Sequence, residues 1–294
     1  GAGGADRRDQ AGESVRPLRI VVCVKVVPKP EEVSVNPETR TLDRAKARSE
    51  LNPPDMNAIE LALTLRERYG GAVSLLSMGP PFAASYLQVG LAMGADRAYL
   101  LSDRAFGGAD TLPTSYALAK GIEKIGEWDL VLCGEESSDG ATGQVPQGIA
   151  EWLDAAQITY AMDLALLTDG RLRAEREIRS GHEVVAVPLP AVVSVKLGVN
   201  EPRFMDMERR RHSEEVVVWT ADDLRLDPEW LGLKGSATVV AAVWQARSRE
   251  RRREFLRGSP AETARLLLEQ IRPLLETSAP VSGPSGEAEK VEGG

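Results

Sequence analysis

The chain has 294 residues, with 36 Lys and Arg against 44 Asp and Glu, giving a formal charge of −8. That length allows one large domain or two smaller ones, and 43% hydrophobic with 27% charged residues is the balance of a globular core. An aromatic content of 5% and an acidic total argue against nucleic-acid binding, and no apolar run reaches the ~20 residues of a membrane span. Residues 1–16 contain no apolar stretch and read as a disordered leader, not a secretory signal. Cys23 and Cys133 each sit in an apolar run and read as buried thiols of a cytoplasmic protein. His182 and His212 are too few for a His-rich metal site.

Residues 19–27 form a nearly continuous β-branched run, which predicts a strand covered on both faces. The polar, proline-punctuated stretch 28–51 is long for a loop in a compact domain, the kind of loop that usually has a function. Asn52-Pro53-Pro54-Asp55 then opens a helix, with Asn52 or Asp55 as its cap and Met56, Ile59, Ala62 and Leu63 on one face. Strands at 72–78, 97–101 and 128–133 alternate with helices at 82–93, 110–126 and about 146–153. Four such alternations predict a mostly parallel sheet with helices on both faces, a three-layer α/β/α domain. After residue 157 the pattern changes to strands at 157–167, 171–178, 183–187 and 191–195, with hairpin chemistry at Asp169-Gly170 and Ser180-Gly181. This predicts an appended β-meander. From about Leu226 the chain reads as an arm with little core of its own, ending in a helix over 259–275 that Ser259, Pro260 and Glu262 start. Residues 277–294 read as a disordered tail.

The most chemical stretch is the loop 134–146, which follows one buried strand and precedes a helix, where open α/β sheets bind their ligands. Gly134, Gly140 and Gly143 let backbone N–H groups approach an anion, Ser137, Ser138 and Thr142 add hydroxyls, and the next helix offers its positive end. No Gly-Lys-Ser/Thr follows and Gly-x-Gly is absent, so it is neither a Walker loop nor a Rossmann fingerprint. The stretch reads as a phosphate or nucleotide site, or else as a Gly-rich connection with capping residues. The junctions at 52–55 and 77–80, taken alone, read as a helix N-cap and a turn; three junctions on one rim would make a cleft. Arginines at 209–211 and at 247–257 read as solvated helix faces. Glu175 and Glu177, with Arg176 between them and no histidine beside them, read as a polar strand face. No nucleophile–base set emerges, which favours binding over turnover by side chains.

Taken in order and spacing, these motifs resemble the β (small) subunit of the electron-transfer flavoproteins over about residues 18–275. The similarity is carried by Glu175-Arg176-Glu177-Ile178, the Pro188–Val193 and Asn200-Glu201-Pro202-Arg203 segments, Lys25, Pro28, Met93-Gly94-Ala95-Asp96 and the Asp139-Gly140 loop. The resemblance implies an adenine-nucleotide-hydrolase-like sheet and a heterodimer with an electron-transfer flavoprotein α subunit that carries FAD. It implies AMP in the β subunit, or a second FAD in electron-bifurcating members. The family's nucleotide contacts fall on Cys23, on Asn52, Pro53, Pro54 and Asp55, and on Met78. They continue over Asp139, Gly140, Ala141, Thr142, Gly143, Gln144, Val145, Pro146, Gln147, Gly148, Ile149 and Ala150. Partner recognition falls on Asn200, Glu201, Pro202 and Arg203, with Met207 as an apolar anchor and Phe204 and Met205 beside it.

The usual Lys-rich stretch after that loop is shortened here to 209–212, and Pro30 and Pro54 stand where some members place aromatics toward the α-subunit flavin. The implied organisation is a leader (1–16), a nucleotide-binding domain (17–225), an arm packing on the α subunit (226–276) and a tail (277–294). The arm would bury an apolar stripe of Ala264, Leu267, Leu268, Ile271 and Leu275. The implied function is passing electrons from dehydrogenases or NADH to a quinone reductase or similar acceptor. An ATP-using enzyme of the same sheet would carry glycines after its first strand, where this chain has residues 23–28 with none. A nucleotide-sensing module would need neither the arm nor the 200–203 loop.

Overall fold

The computed structural model of the chain describes residues 17–29, 34–35, 42–43, 48–212, 215–240 and 255–276. The leader, the tail, Pro30 and most of the arginine run at 247–257 lie outside the described residues. The β-branched run begins as β1 (Leu18–Cys23) but does not continue to Val27 as a single strand. At Lys25 the backbone N–H leaves the ladder to donate to the Asp55 carboxylate, and β2 (Val26–Pro28) turns away to pair with β5 (Ser49–Leu51). The loop between them carries a second short pair, β3 (Ser34–Val35) with β4 (Leu42–Asp43).

Helix α1 (Pro53–Tyr69) follows, opened by two prolines whose missing N–H groups cost nothing in a first turn. The alternation then runs through β6 (Gly71–Met78), α2 (Ala84–Met93), β7 (Arg97–Leu101), α3 (Thr111–Ile125), β8 (Leu130–Gly134) and α4 (Val145–Trp152). The chain continues through β9 (Ala156–Leu166), β10 (Leu172–Ile178), β11 (Gly181–Val187) and β12 (Ala191–Val195). After it come α5 (Met207–His212), β13 (Val217–Trp219) and the single turn α6 (Gly232–Gly235).

The principal sheet has the order β11-β10-β9-β12-β8-β1-β6-β7-β13. The run from β9 to β13 is parallel, and only β10 pairs antiparallel to its neighbours. Because successive side chains point to opposite faces, each parallel strand feeds two cores. Ile20, Val22, Leu75 and Leu100 face α1 and α2, where they pack with Ile59, Leu63 and Leu87. Val21, Leu76, Leu101 and Val131 face α3 and α4, where they pack with Ile122 and Ile149.

The three-layer α/β/α expectation therefore holds, with differences in its margins. The strand at 191–195 is not the last strand of the meander; it inserts parallel between β8 and β9, and its five residues are all buried. The edge strand β13 was not anticipated, since three residues are too short a run for alternation to register. Hairpin pairing of β10 with β11 also brings His182 to 3.7 Å from Glu175, a histidine that sequence distance hid, while Glu177 pairs with Lys196 at 2.5 Å. All four side chains are substantially exposed, so the reading of a polar face stands.

The segment after Leu226 has more core than its composition indicates. Leu226 and Leu231 are buried in the α3/α4 cluster, and Trp230 joins a triad with Tyr116 and Trp152. Asp110, which caps α3 through the Leu112 N–H, also accepts from the N–H and hydroxyl of Thr238 at 2.8 and 2.9 Å. The chain forms two compact units, residues 1–245 and 246–294. In the second unit, α7 (Pro260–Glu276) starts as its sequence predicts, with Ser259 and Glu262 exchanging capping hydrogen bonds. Leu267 and Leu268 on its apolar stripe are 47% and 62% exposed. Among the described residues, no helix is long and apolar enough to cross a membrane.

If residues 226–238 are integral to the α/β unit, truncating Leu231 must leave a cavity in that unit's core. Leu231→Ala should lower the unfolding free energy by about 3 kcal/mol in urea titration; a change below about 0.5 kcal/mol would show that the segment is only draped on the surface.

Candidate functional site

The carboxyl ends of β1, β6, β8 and β12 lie along one rim of the sheet, and the predicted residues gather there because the parallel strands all end on the same side. At the floor, Cys23 ends β1 and stands in register with Cys133 on β8. Both thiols are free and buried, and the hydrogen bond between them, together with burial, pushes the Cys133 thiol well up. Met78 ends the neighbouring strand β6 and is half-buried.

The start of α1 holds the rim together. Asn52 and Asp55 do not cap the helix: no side-chain cap bond forms there, and both side chains reach away into the rim. Asn52 accepts from the Ser138 N–H at 3.0 Å and donates its amide to the Glu136 carbonyl at 2.8 Å, so one side chain fixes two points of the loop after β8. Asp55 accepts from the Gly134 N–H at 3.0 Å and from the Lys25 N–H at 2.7 Å, tying the ends of two adjacent strands to one carboxyl. Asn52 and Asp55 are 1% and 5% exposed. Burial pushes the Asp55 carboxyl up to about 7 from its ordinary 3.8, against the opposing pull of the N–H donors.

The loop itself runs over Asp139, Gly140, Ala141, Thr142 and Gly143 to Gln144, the residue before α4. Lys25 Nζ donates to Asp139 at 2.6 Å and to Ser137 Oγ at 3.3 Å, laying a cation along the inner side of the turn. Ala141 and Gly143 both take positive φ, at 46° and 60°. Gly134 has a different reason to be glycine: a Cβ there would lie 2.3 Å from Asp55 Oδ1 and 2.7 Å from Pro54 Cβ. Helix α4 begins at Val145 and Pro146, with Gln147 in its first turn and Gly148, Ile149 and Ala150 behind. Gly148 packs against Ser115 of α3 so closely that a Cβ would sit 2.6 Å from the hydroxyl. The Gln147 amide oxygen is buried without a hydrogen-bond partner among the described residues.

This donor set fits a nucleotide. The first-turn N–H groups of α4 have no intrahelical acceptors and favour a phosphate, Lys25 brings an ammonium it shares with Asp139, and the Gln147 oxygen is an acceptor waiting for a hydroxyl or amino group. Among the described residues, no group of three His, Cys, Asp or Glu side chains could hold a metal.

Asn200 and Arg203 occupy a separate loop, and their side chains turn inward. Asn57 of α1 donates to the Asn200 carbonyl and side-chain oxygen, both at 2.8 Å, and the Asn200 amide returns a bond to the Asn57 carbonyl. Arg203 grips Glu60 with two guanidinium bonds of 2.8 and 2.9 Å and reaches Glu67 at 2.5 Å, which holds the Glu67 carboxyl below the usual range. Glu201 and Pro202 lie between these anchors. Phe204 projects from the anchored base with 97% exposure, and Met205 and Met207 are 40% and 59% exposed.

Sequence reasoning left three residues out of this picture. Lys25 was legible as a cation placed just past a buried strand end. Glu60 falls on the buried face of α1, where an acid signals a fixed partner. Tyr160, beside Gly143, gave no signal.

The sequence pattern of the electron transfer flavoprotein domain family matches residues 39–224. An electron transfer flavoprotein subunit beta of Thermoanaerobacterium thermosaccharolyticum is 42% identical over 257 residues, covering 86% of this chain and 98% of that protein. One of the same name from Clostridium acetobutylicum is 45% identical over 225 residues, covering 76% and 86%. The caffeyl-CoA reductase-Etf complex subunit CarD of Acetobacterium woodii is 43% identical over 226 residues, with the same coverages.

The Asp55 environment sets a pH dependence. In the unfolded chain this carboxyl loses its proton near 3.8, whereas the folded chain keeps it to about 7. Its contribution favours folding below about pH 4 and is lost as pH rises to about 7. Asp55→Asn, which stays neutral, should lose less unfolding free energy than the wild type between pH 5 and 7.5, by up to about 1.4 kcal/mol per pH unit; parallel curves would refute the assignment. On the other loop, Glu60→Gln should speed amide hydrogen exchange at residues 198–206 at least about tenfold, and unchanged exchange would show that the loop holds without the Arg203 grip.

Proposed function

This chain belongs to the electron transfer flavoprotein family as a β subunit, and from that premise we propose that its rim cleft holds the AMP half of a nucleotide, either AMP itself or a second FAD. The observation that carries the reading is the double clasp of α1: Asn52 and Asp55 spend their polar atoms on the backbone of the loop and of the two strand ends, not on their own helix. A loop held in this way keeps its N–H groups and the start of α4 in one arrangement before any ligand arrives. The phosphate takes the α4 entrance and Lys25, the adenosine takes the floor beside Cys23 and Met78, and the Gln147 oxygen meets a polar group of the ligand.

A β subunit of this family works with an α subunit. In the proposed complex FAD supplies the electron chemistry, while this chain orients the nucleotide and excludes water from it. The exposed stripe of α7 takes its cover from the α subunit. Phe204, Met205 and Met207 form the docking tip for an electron donor such as a dehydrogenase, and the acceptor is a quinone reductase or similar protein. Flexible apolar side chains suit a surface that meets more than one partner, and the Acetobacterium relative is named for a complex with a reductase. A second FAD in the cleft would supply hydride-accepting chemistry for NADH, with two acceptors to share the electrons.

Mass spectrometry of nucleotide released from the heterodimer tests this, with FAD counted per dimer. One FAD and one AMP make the protein a single-flavin carrier, and two FAD with no AMP make it a bifurcation candidate. Dimer that carries nothing beyond one FAD sinks the proposal. Asn52→Ala should cut the nucleotide retained in the cleft at least about fivefold, because Glu136 and Ser138 lose their common tether.

A further inference from the structure

Tyr160 adopts φ +56° inside β9, a conformation bulky residues rarely take. The cause is a register shift between β9 and β12: Val193 pairs with Ile158, but Val195 pairs with Ala161, so Thr159 and Tyr160 together face Ser194. The Tyr160 N–H leaves the ladder and donates to the buried Ser194 hydroxyl at 3.0 Å. A glycine would adopt this backbone freely, and the 41% exposed ring contributes little to the core. What the distortion accomplishes is direction: the phenol oxygen comes to 3.8 Å from where a Gly143 Cβ would stand. Gly143 is two residues before α4, so the hydroxyl sits at the anion-binding entrance of that helix. Among the described residues, nothing hydrogen-bonds to it. Outliers of this kind collect where a side chain must be aimed.

We infer that Tyr160 is a ligand-contacting residue of the cleft, donating its hydroxyl to a phosphate oxygen of the bound nucleotide and so distinguishing nucleotides from nucleosides. This rests on the proposed nucleotide site and adds to it a residue from β9, in the meander half of the sheet.

The test uses the full-length heterodimer stripped of β-subunit nucleotide, with AMP, FAD and adenosine as probes in calorimetric titration. Tyr160→Phe keeps the ring and loses the donor. It should weaken whichever of AMP and FAD the wild type binds by about tenfold, the effect of one hydrogen bond to a charged group, and leave adenosine unchanged. Tyr160→Gly should show the same loss while the thermal midpoint of the stripped dimer stays level or rises, because the backbone strain is relieved. A purely structural tyrosine would move the midpoint and not the affinity ratio. Equal affinities in wild type and Tyr160→Phe, or equal losses for AMP and adenosine, overturn the inference and leave the nucleotide site standing. Wild-type dimer that binds neither AMP nor FAD overturns the site and this inference with it.

Discussion

Four polar side chains at and after the start of α1 are largely withdrawn from water, and the architecture of the rim follows from where they find partners. Asn52, Asp55, Asn57 and Glu60 are all buried. Leaving any of them unpaired would cost more than most single contacts in the domain return. Each is satisfied by a segment distant in sequence: the loop after β8 for Asn52, two strand ends for Asp55, and the 198–203 loop for Asn57 and Glu60. The helix is therefore more than a cover for one face of the sheet. It is the post to which the loop after β8 and the 198–203 loop are both tied.

The sheet beneath shows why those segments can be irregular. Parallel strands buried on both faces are fixed along their length by apolar packing, and Asp55 pins two of their ends, so the rim loops need not contribute to the core. The thiols of Cys23 and Cys133 illustrate this: they complete the floor as small apolar groups in contact, while the polar work is done one layer above by Asn52, Asp55 and Lys25.

The regular parts were legible in the sequence because they obey a period. Apart from the first run, read to Val27 where β1 ends at Cys23, and the short β13, the parallel strands were legible to within two residues, and the Gly-rich loop was recognisable from composition and position. What was not legible depends on pairing across distance. Asn52 and Asp55 carry the letters of a helix cap, and only the approach of the loop after β8 for one and of two strand ends for the other draws them off the helix. His182 is close to Glu175 only once a hairpin closes. The strand at 191–195 looks like a fourth meander strand until a crossover inserts it beside β8. Leu226 and Leu231 are isolated apolar residues in a polar stretch, so periodicity could not mark them as core. The strain at Tyr160 arises from a one-residue mismatch between strands, which no local pattern encodes.

The base beneath Phe204 has a kinetic meaning. Asn200 and Arg203 are already locked onto α1, so the loop is ordered before any encounter and a protein that covers Phe204 need not freeze it. The entropy of ordering has been settled within the chain by folding, and a modest apolar contact is then enough to hold a partner. Affinity that comes from one small contact on a rigid mount, with no wider surface to unzip, permits quick release. In the docking role proposed for it, such a tip would favour short residence times, where a broad or fold-on-binding surface would be slow to let go.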